Sequence, residues 1–394
     1  MLNAKNEDKQ FVIVIVRDTS GCSHVRLRWN ALYYGGFEHI GFVPIITPIP
    51  TYDPAWLSKC RAVVYQRPIN QNDLEILKTY KNFQPKYGYK LIFECDDQVF
   101  KINNEGLPYY NMASDNFNKQ ADELTERVKI AVNMCDEVVV STDYLARQFR
   151  EKYNCQNIRV IRNVVPRFLW SYPRKDDITE DIKKPKILYT GSPCHFRNPI
   201  APRQPSKKEP EGFKGVLADM GDFNNAWKDW LIKNVKEDKI DLIVMGSMPY
   251  FFAPIADKIK NEPWYDTTSY PRHVMEQMAD FQIAPLVENE FNKCKSSLRF
   301  VESSATGTIL LGTVFHTCKD SPYEEIHQDC KIPDNITTKE LDEKFWALCK
   351  KDKYNEIRNW QYDTINKNGY WMESTKHANE WMSMIDGKPD ECFI

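Results

Sequence analysis

Lys295, Ser296, Arg299 and Glu302 have the residue types and the spacing to hold a nucleoside diphosphate. An apolar run ends at Pro285, and a polar loop then brings Asn292, Lys293 and Lys295 up to a helix expected to begin at Ser296, with Ser296 or Ser297 as its N-cap. The free N–H groups at the start of a helix carry partial positive charge. With a lysine beside them they form a site for an anion such as a diphosphate. Glu302 falls within the same helix, where its carboxylate can accept hydrogen bonds from ribose hydroxyls, and Gly307 is placed to close the helix. An ordinary capped helix with surface lysines would show the same residues, so the pattern needs a fold around it.

Other stretches carry candidate chemistry. His24, in Gly21-Cys-Ser-His-Val-Arg26, follows the first apolar run; it either orients a hydroxyl in a cleft or is a satisfied loop histidine. Arg26 belongs to the same acceptor-side segment. Glu94-Cys-Asp-Asp97 ends another apolar run, so Asp96 and Asp97 are expected to face a cleft, as acceptor-facing carboxylates or as a hydrogen-bonded turn, with a metal-binding role disfavoured. His195 and Arg197 follow the first apolar run of the second half, where Arg197 is available to a phosphate. From Lys183 to Lys214 there are eight basic residues against two acidic ones. That segment includes Arg203, Lys207 and Lys208. It reads either as a patch for a polyanionic acceptor or as a solvated insertion.

The elements that must position these groups are legible from the patterning. Phe11-Val-Ile-Val-Ile-Val16 is a continuous β-branched run, the signature of a strand buried on both faces of a parallel sheet. A glycine-bearing loop and a helix over 25–34 follow. Further strands are expected at 41–46, 62–65, 90–94, 137–141 and 158–161, with helices over 73–83, 119–134 and 142–153. A Pro- and charge-rich stretch from 166 to 185 interrupts the series. A second series then starts with strands at 186–190, 241–245, 281–285 and 308–311 and helices over 225–235, 270–280 and 296–307, and 338–384 is mainly helical. The expected organisation is a first domain over 1–170, a linker over 171–185, a second domain over 186–365 and a helical segment over 366–394. Alternating strands and helices imply two doubly wound α/β domains with a cleft between the carboxyl ends of their sheets.

The Lys295–Gly307 segment resembles the donor-binding signature of the large retaining GT-B glycosyltransferase family that includes sucrose-phosphate synthases. In that family a loop with a basic residue leads into a helix of the form K-S-x-x-K-x-x-E-x-x-A-x-G-x-P. Lys295, Ser296, Arg299, Glu302, Ala305 and Gly307 fall on its positions, whereas Thr308 and Ile309 replace the usual small residue and proline. The family's acidic residue eight positions before Glu302 is here Cys294, and the nearest acids are Glu288 and Glu290. Thr190-Gly191-Ser192-Pro193 resembles the family's phosphate-facing loop. Glu137–Thr142 and Val160–Pro166 resemble the end of its first domain. The resemblance spans roughly residues 11 to 315. The chain is also similar in general look to glycosyltransferases of tailed bacteriophages, some of which modify hydroxymethylated cytosines in DNA.

The resemblance implies two Rossmann-like domains facing each other across a cleft and sugar transfer from a nucleotide-diphosphate sugar, a UDP-sugar first, with retention. Gly191, Ser192, Arg197, Lys295, Ser296, Arg299 and Glu302 would bind the donor. His24, Asp97 and Glu288 are the candidate catalytic groups, and Arg26, Arg203, Lys207 and Lys208 the candidate acceptor contacts. The first expectation for the acceptor is 5-hydroxymethylcytosine in double-stranded DNA. A small-molecule, glycan or lipid acceptor, a nucleotide-sugar epimerase, or a non-catalytic nucleotide-sugar-binding protein are the alternatives. No metal or other cofactor is expected, because Lys, Arg and a helix N-terminus can carry the leaving-group charge.

Composition narrows the classes. The 394 residues carry 53 Lys+Arg against 55 Asp+Glu, so no global attraction to nucleic acid or acidic lipid is indicated. The 11 cysteines are odd in number and scattered, with no C-x-x-C pair, which reads as free thiols in a reducing cytoplasm rather than a disulfide framework or structural zinc. The polar start lacks a signal-like apolar core, and no apolar run is long enough to span a bilayer. G-x-G-x-x-G is missing from the Gly21 loop, which disfavours a nicotinamide dehydrogenase.

Overall fold

Continuous β-branched runs become the centres of two sheets. The computed structural model describes residues 9–17, 21–37, 42–99, 115–170, 176–192 and 221–387. Strands β1 (Phe11–Ile15), β2 (Val43–Thr47), β3 (Cys60–Gln66), β4 (Lys90–Cys95), β5 (Glu137–Val140) and β6 (Ile158–Val160) form the first sheet, in the order β2-β1-β3-β4-β5-β6. Strands β7 (Lys186–Gly191), β8 (Asp241–Gly246), β9 (Lys260–Glu262), β10 (Phe281–Ala284), β11 (Ile309–Val314) and β12 (Lys331–Pro333) form the second, in the order β12-β11-β10-β7-β8-β9. Every named pairing is parallel. The expected α/β class with two doubly wound sheets is what the chain adopts. The edge strands β9 and β12 carry no apolar run, and the patterning did not reveal them.

Alternation along the first sheet shows why its strands are apolar throughout. Ile13, Ile15, Val63, Tyr65, Leu91 and Phe93 pack into one core, beneath the Gln71–Tyr87 helix. Val12, Val14, Ala62, Val64 and Ile92 pack into another on the opposite face. That opposite face is covered by the helical stretch 21–37 and by the C-terminal helix Thr375–Asp386, through Trp381, Met384 and Ile385. Residues 21–37 form a longer helix than the expected 25–34, and His24–Arg28 and Leu32–Phe37 within it are wound as π-helix. Such wide turns are frequent beside functional sites.

The chain crosses between the sheets at two adjacent places. Val165 N–H donates to the Tyr370 carbonyl at 3.2 Å, and Met372 N–H donates to the Val165 carbonyl at 3.0 Å. Trp170 packs in the second core, with its ring 5.7 Å from that of Tyr270. The described part of the expected linker, 176–185, is pinned to the helix Lys351–Lys367. Arg358 pairs with Asp177 at 2.7 Å, Asn355 Oδ1 accepts from Ile178 N–H at 3.0 Å, and Ile182 N–H donates to the Cys349 carbonyl at 2.9 Å. No helix of the described residues is long and apolar enough to cross a membrane.

Candidate active site

The carboxyl ends of the two sheets enclose a cavity of about 510 Å³. On the second sheet it lies where β7 and β10 pair and the strand order departs in both directions, the place where open α/β sheets leave a crevice. Its second-domain wall is made by the ends of β7 (Thr190, Ser192) and β10 (Ala284, Pro285), by Trp264 and Tyr270, and by the Leu298–Ala305 helix. The first-domain wall is made by Gly21, Cys22, Val25, Trp29, Asp96 and Asp97.

The Leu298–Ala305 helix is built locally much as its sequence requires. Ser297 holds the N-cap position without a side-chain cap, and its carbonyl accepts from Phe300 N–H at 2.8 Å. At the other end Gly307 adopts φ +68°, and Thr308 N–H and Gly307 N–H donate back to the carbonyls of Ser303 and Ser304 at 2.9 and 3.2 Å. Only a residue without a Cβ takes that left-handed turn at little cost. The helix presents Arg299 and Glu302, three residues apart and so on one face, to the cavity. Arg299 lies over the ring of Tyr189, 5.9 Å from its centroid. Burial works against its charge, yet its pKa lies above the ordinary arginine value and the guanidinium stays charged.

Glu302 is 8% exposed, and burial pushes its carboxyl up to about 8, with Arg299 pulling in the opposite direction. In the free protein it is therefore largely a neutral acid at pH 7. A ribose diol that donates to it favours the carboxylate, so binding should release a proton. We expect affinity for UDP to strengthen as pH rises from 6 to about 8 and then to level off. Calorimetry in buffers of different ionisation enthalpy should detect the released proton. Glu302→Gln should bind roughly ten- to a hundredfold more weakly, from the loss of a charge-assisted contact worth about 1.5–3 kcal/mol, and show a flat pH profile. An unchanged profile in Glu302→Gln would remove Glu302 from the ribose role.

Lys295 and Ser296 also line the cavity, together with Ser192. The Lys295 Nζ lies 4.6 Å from the ring centroid of Phe291. The Ser296 hydroxyl accepts from Asn163 Nδ2 at 2.8 Å, which ties the loop before the helix to the first domain. Gly191 does not line the cavity. A Cβ there would come within 2.5 Å of the Tyr189 hydroxyl, so its smallness makes room for the protein's own tyrosine. Arg197, Arg203, Lys207 and Lys208 lie outside the described residues, as does His195.

Three further expected site residues do not line the cavity. Arg26 turns away from it. It is 4% exposed and committed to Glu94 at 2.6 Å, to the Ile161 carbonyl and to Asn163 Oδ1 at 2.9 Å. Glu288 does not reach the cavity. The Asn289 cap of the short Glu290–Cys294 helix turns the chain there, and the Glu288 carboxylate instead takes the Thr317 hydroxyl at 2.6 Å and pairs with Lys293 at 3.1 Å. Those contacts hold its pKa below the ordinary value, with the Thr317 hydroxyl the largest cause. Glu290, the other nearby acid, accepts from the Tyr144 hydroxyl of the first domain. Cys294, eight positions before Glu302, is 1% exposed and packs among the first-domain core residues, so that position supplies no acid to the cavity. His24 is half-buried behind Trp29, edge-on at 5.6 Å, and it is Trp29 that reaches the cavity. Asp97 is placed as expected, beside Asp96.

The sequence reading missed Trp264, Tyr270 and Tyr323. Trp264 is 59% exposed and stacks on Tyr270 with an interplanar angle of 25°, offering a flat platform at the cavity wall. The cluster Pro263-Trp-Tyr-Asp266 after a turn was the available signal. On the far side of Lys295 and Ser296 a smaller pocket of about 260 Å³ shares these residues and Asn163. Its cations are largely committed across the two domains, Arg162 to Glu325 at 2.9 Å and Arg147 to Asp320.

The sequence matches no protein-family model and no curated protein sequence. Solved structures do share its architecture. A glycosyltransferase from Rickettsia africae ESF-5 superposes with a TM-score of 0.55 at 14% identity, over 96% of this chain and 98% of that one. An alpha-glucosyltransferase (AGT) in complex with UDP gives 0.56 at 13% identity, over 95% and 99%. The Anabaena protein HepE in complex with UDP and glucose gives 0.54 at 9% identity, over 96% and 100%. At these identities the likeness establishes the GT-B fold.

Proposed function

We propose that this chain, whose GT-B fold is shared with glycosyltransferases solved with UDP, transfers a sugar from a nucleoside-diphosphate sugar to an acceptor hydroxyl. The observation that carries this reading is Arg299 and Glu302 on one face of a cavity-lining helix, with Lys295 beside its N-terminus. A buried carboxyl suited to a ribose diol next to two cations suited to a diphosphate is the pairing a nucleotide donor needs, and the Trp264–Tyr270 platform can stack its base. The relatives with UDP, and in one case glucose, support a UDP-sugar as the first donor to test.

In the reaction the acceptor oxygen forms a bond to the anomeric carbon, and the bond from that carbon to the β-phosphate oxygen breaks. The electron pair leaves with the diphosphate, where Lys295, Arg299 and the open helix N-terminus stabilise the growing charge, and the hydroxyl proton ends on the released diphosphate. The resemblance to the retaining family supports retention. Mass spectrometry of products after incubation with a mixture of UDP-sugars tests the reading; no UDP binding and no UDP release with any donor would overturn it. The buried Cys294 at the family's acid position favours one second reading, a nucleotide-sugar-binding protein without turnover, which UDP binding with no release would establish.

The sequence also pointed to 5-hydroxymethylcytosine in DNA as the acceptor. That reading rests on the phage-like look and on a basic segment whose Arg203, Lys207 and Lys208 lie outside the described residues. Since the leaving-group charge is assigned to side chains and a helix terminus, turnover is expected to survive EDTA. Loss of activity in EDTA with recovery in Mn²⁺ would instead implicate Cys22, Asp96 and Asp97, whose ligand atoms lie within 4.8 Å of one another.

A further inference from the structure

We infer that the first domain positions Lys295, a cation of the second, so that the anion side of the cavity takes its shape only where the two domains meet. Thr142 and Tyr144 are the positioning residues, and neither lines the cavity. The inference rests on the transferase reading above and deepens it, because it names groups outside the donor site on which donor binding depends.

The chain between β10 and the Leu298–Ala305 helix follows a strand of the second sheet, yet much of it is bonded to the first domain. Its first part is tied to its own domain: Asn292 Nδ2 donates to Asp222 Oδ1 and to the Val287 carbonyl, each at 2.8 Å. Its tip is not. The Thr142 hydroxyl donates to the Cys294 carbonyl at 3.1 Å, and Asn163 Nδ2 donates to the Ser296 hydroxyl at 2.8 Å. Cys294 is 1% exposed and packs in the first-domain core that also holds Cys95 and Phe149. Tyr144 reaches the same short helix through the Glu290 carboxylate. Both chain neighbours of Lys295 are therefore fixed to the first domain. A lysine side chain is a flexible four-carbon stem, so the reach of its ammonium is set by where its backbone is held.

Two ion pairs cross the same seam, Arg162 with Glu325 at 2.9 Å and Arg147 with Asp320. All four side chains are partly exposed to solvent. Water and salt weaken exposed pairs of this kind, whereas a buried side chain and a hydrogen bond from the buried Asn163 amide are not screened. The hold on Lys295 is thus assigned to Thr142, Tyr144, Asn163 and Cys294 rather than to the ion pairs.

The test uses the full chain, calorimetry with UDP, and alkylation of Cys294 followed at its own peptide. Thr142→Val/Tyr144→Phe should weaken UDP binding by roughly fivefold or more, and the same two changes in a Lys295→Ala background should shift it by less than about twofold. The Thr142 hydroxyl also caps the Asp143–Tyr153 helix, accepting from Leu145 N–H at 3.2 Å. Thr142→Ser keeps both bonds and should bind UDP as wild type does. Cys294 should be alkylated faster in Thr142→Val/Tyr144→Phe, while Cys95 in the same core stays protected, which separates a released loop from a loosened domain. Arg147→Ala should leave UDP affinity and Cys294 protection unchanged. Should the paired variant fail to fold, Tyr144→Phe alone, which removes one oxygen, carries the same two readouts. Equal losses of UDP affinity with and without Lys295, unchanged affinity in a folded variant, alkylation of Cys95 in step with Cys294, or an equal loss in Arg147→Ala would each overturn the proposal. If Lys295→Ala weakens UDP binding and the first-domain variants do not, the positioning alone fails and the donor site stands. If wild-type protein binds no UDP, the transferase reading fails with it.

Discussion

Replacing Arg299 by Ala is expected to lower kcat/KM for the sugar donor by roughly a hundred- to a thousandfold, the loss of about 2.7–4 kcal/mol that removal of one preorganised charge-stabilising group produces. Arg299 stands in the first turn of the Leu298–Ala305 helix, beside Tyr189 and Glu302, and keeps its charge inside the cavity. No water-exposed cation stabilises a departing diphosphate as well, because screening in bulk solvent weakens the interaction severalfold. The rate should fall more than the affinity, since the charge on the diphosphate grows as the glycosidic bond breaks. UDP release from a UDP-sugar reads turnover without an identified acceptor, and calorimetry with UDP reads ground-state affinity. Arg299→Lys should recover part of the activity, as it restores the charge but not the planar fork. Equal losses in rate and in UDP affinity would mean that Arg299 only binds. No loss in either would remove it from the donor site.

Breaking the Arg26–Glu94 pair is expected to have the largest effect on stability. The two side chains are 3% and 1% exposed and 2.6 Å apart, and Arg26 also bonds Asn163 and the Ile161 carbonyl. Arg26→Met keeps most of the volume but strands Glu94, which should destabilise the first domain by about 3–5 kcal/mol. Burial already outweighs Arg26 and pushes the Glu94 carboxyl up to about 7. A carboxyl raised in the folded state contributes stability that is full below its unfolded value and lost as pH rises through the folded one. Without Arg26 the folded value moves higher still. The deficit of Arg26→Met should therefore be small near pH 5 and large at pH 8. Urea titrations at the two pH values check this, and Arg26→Met/Glu94→Leu, which removes both charges, should recover most of the loss at pH 8. A deficit independent of pH would show that lost packing, not the stranded carboxylate, is responsible. Because Asn163 also holds Ser296, Arg26→Met should weaken UDP binding as well, through a displaced Lys295–Ser296 loop.

The cavity-lining helix was readable because its information is local. Lys295, Arg299 and Glu302 are brought together by one loop and one helix, where three- and four-residue spacings fix which groups share a face, and Gly307 marks the stop. The strands were readable for a related reason: a parallel strand covered on both faces must be apolar at every position, and Phe11–Val16 announces that without help from the rest of the chain. Trp264 escaped because it sits in a loop whose position relative to the helix no periodicity records.

Sequence alone determined the class of the fold, two doubly wound sheets in tandem, and a helix that sets Arg299 and Glu302 on one face, since both follow from residue type and spacing within a few turns of chain. Only the tertiary structure decided which side chains had any reach left for a ligand. Arg26 and Asn163 are 137 positions apart and Tyr144 and Glu290 are 146, and these long-range contacts take Arg26 and Glu290 out of the cavity. The C-terminal helix reads as amphipathic, but nothing in its pattern says that Trp381 and Met384 return to the first sheet. A side chain's function depends on what is left unsatisfied once the whole chain has packed. Arg299 lines the cavity and Arg26 is spent on Glu94 and Asn163, and no window of sequence contains that difference.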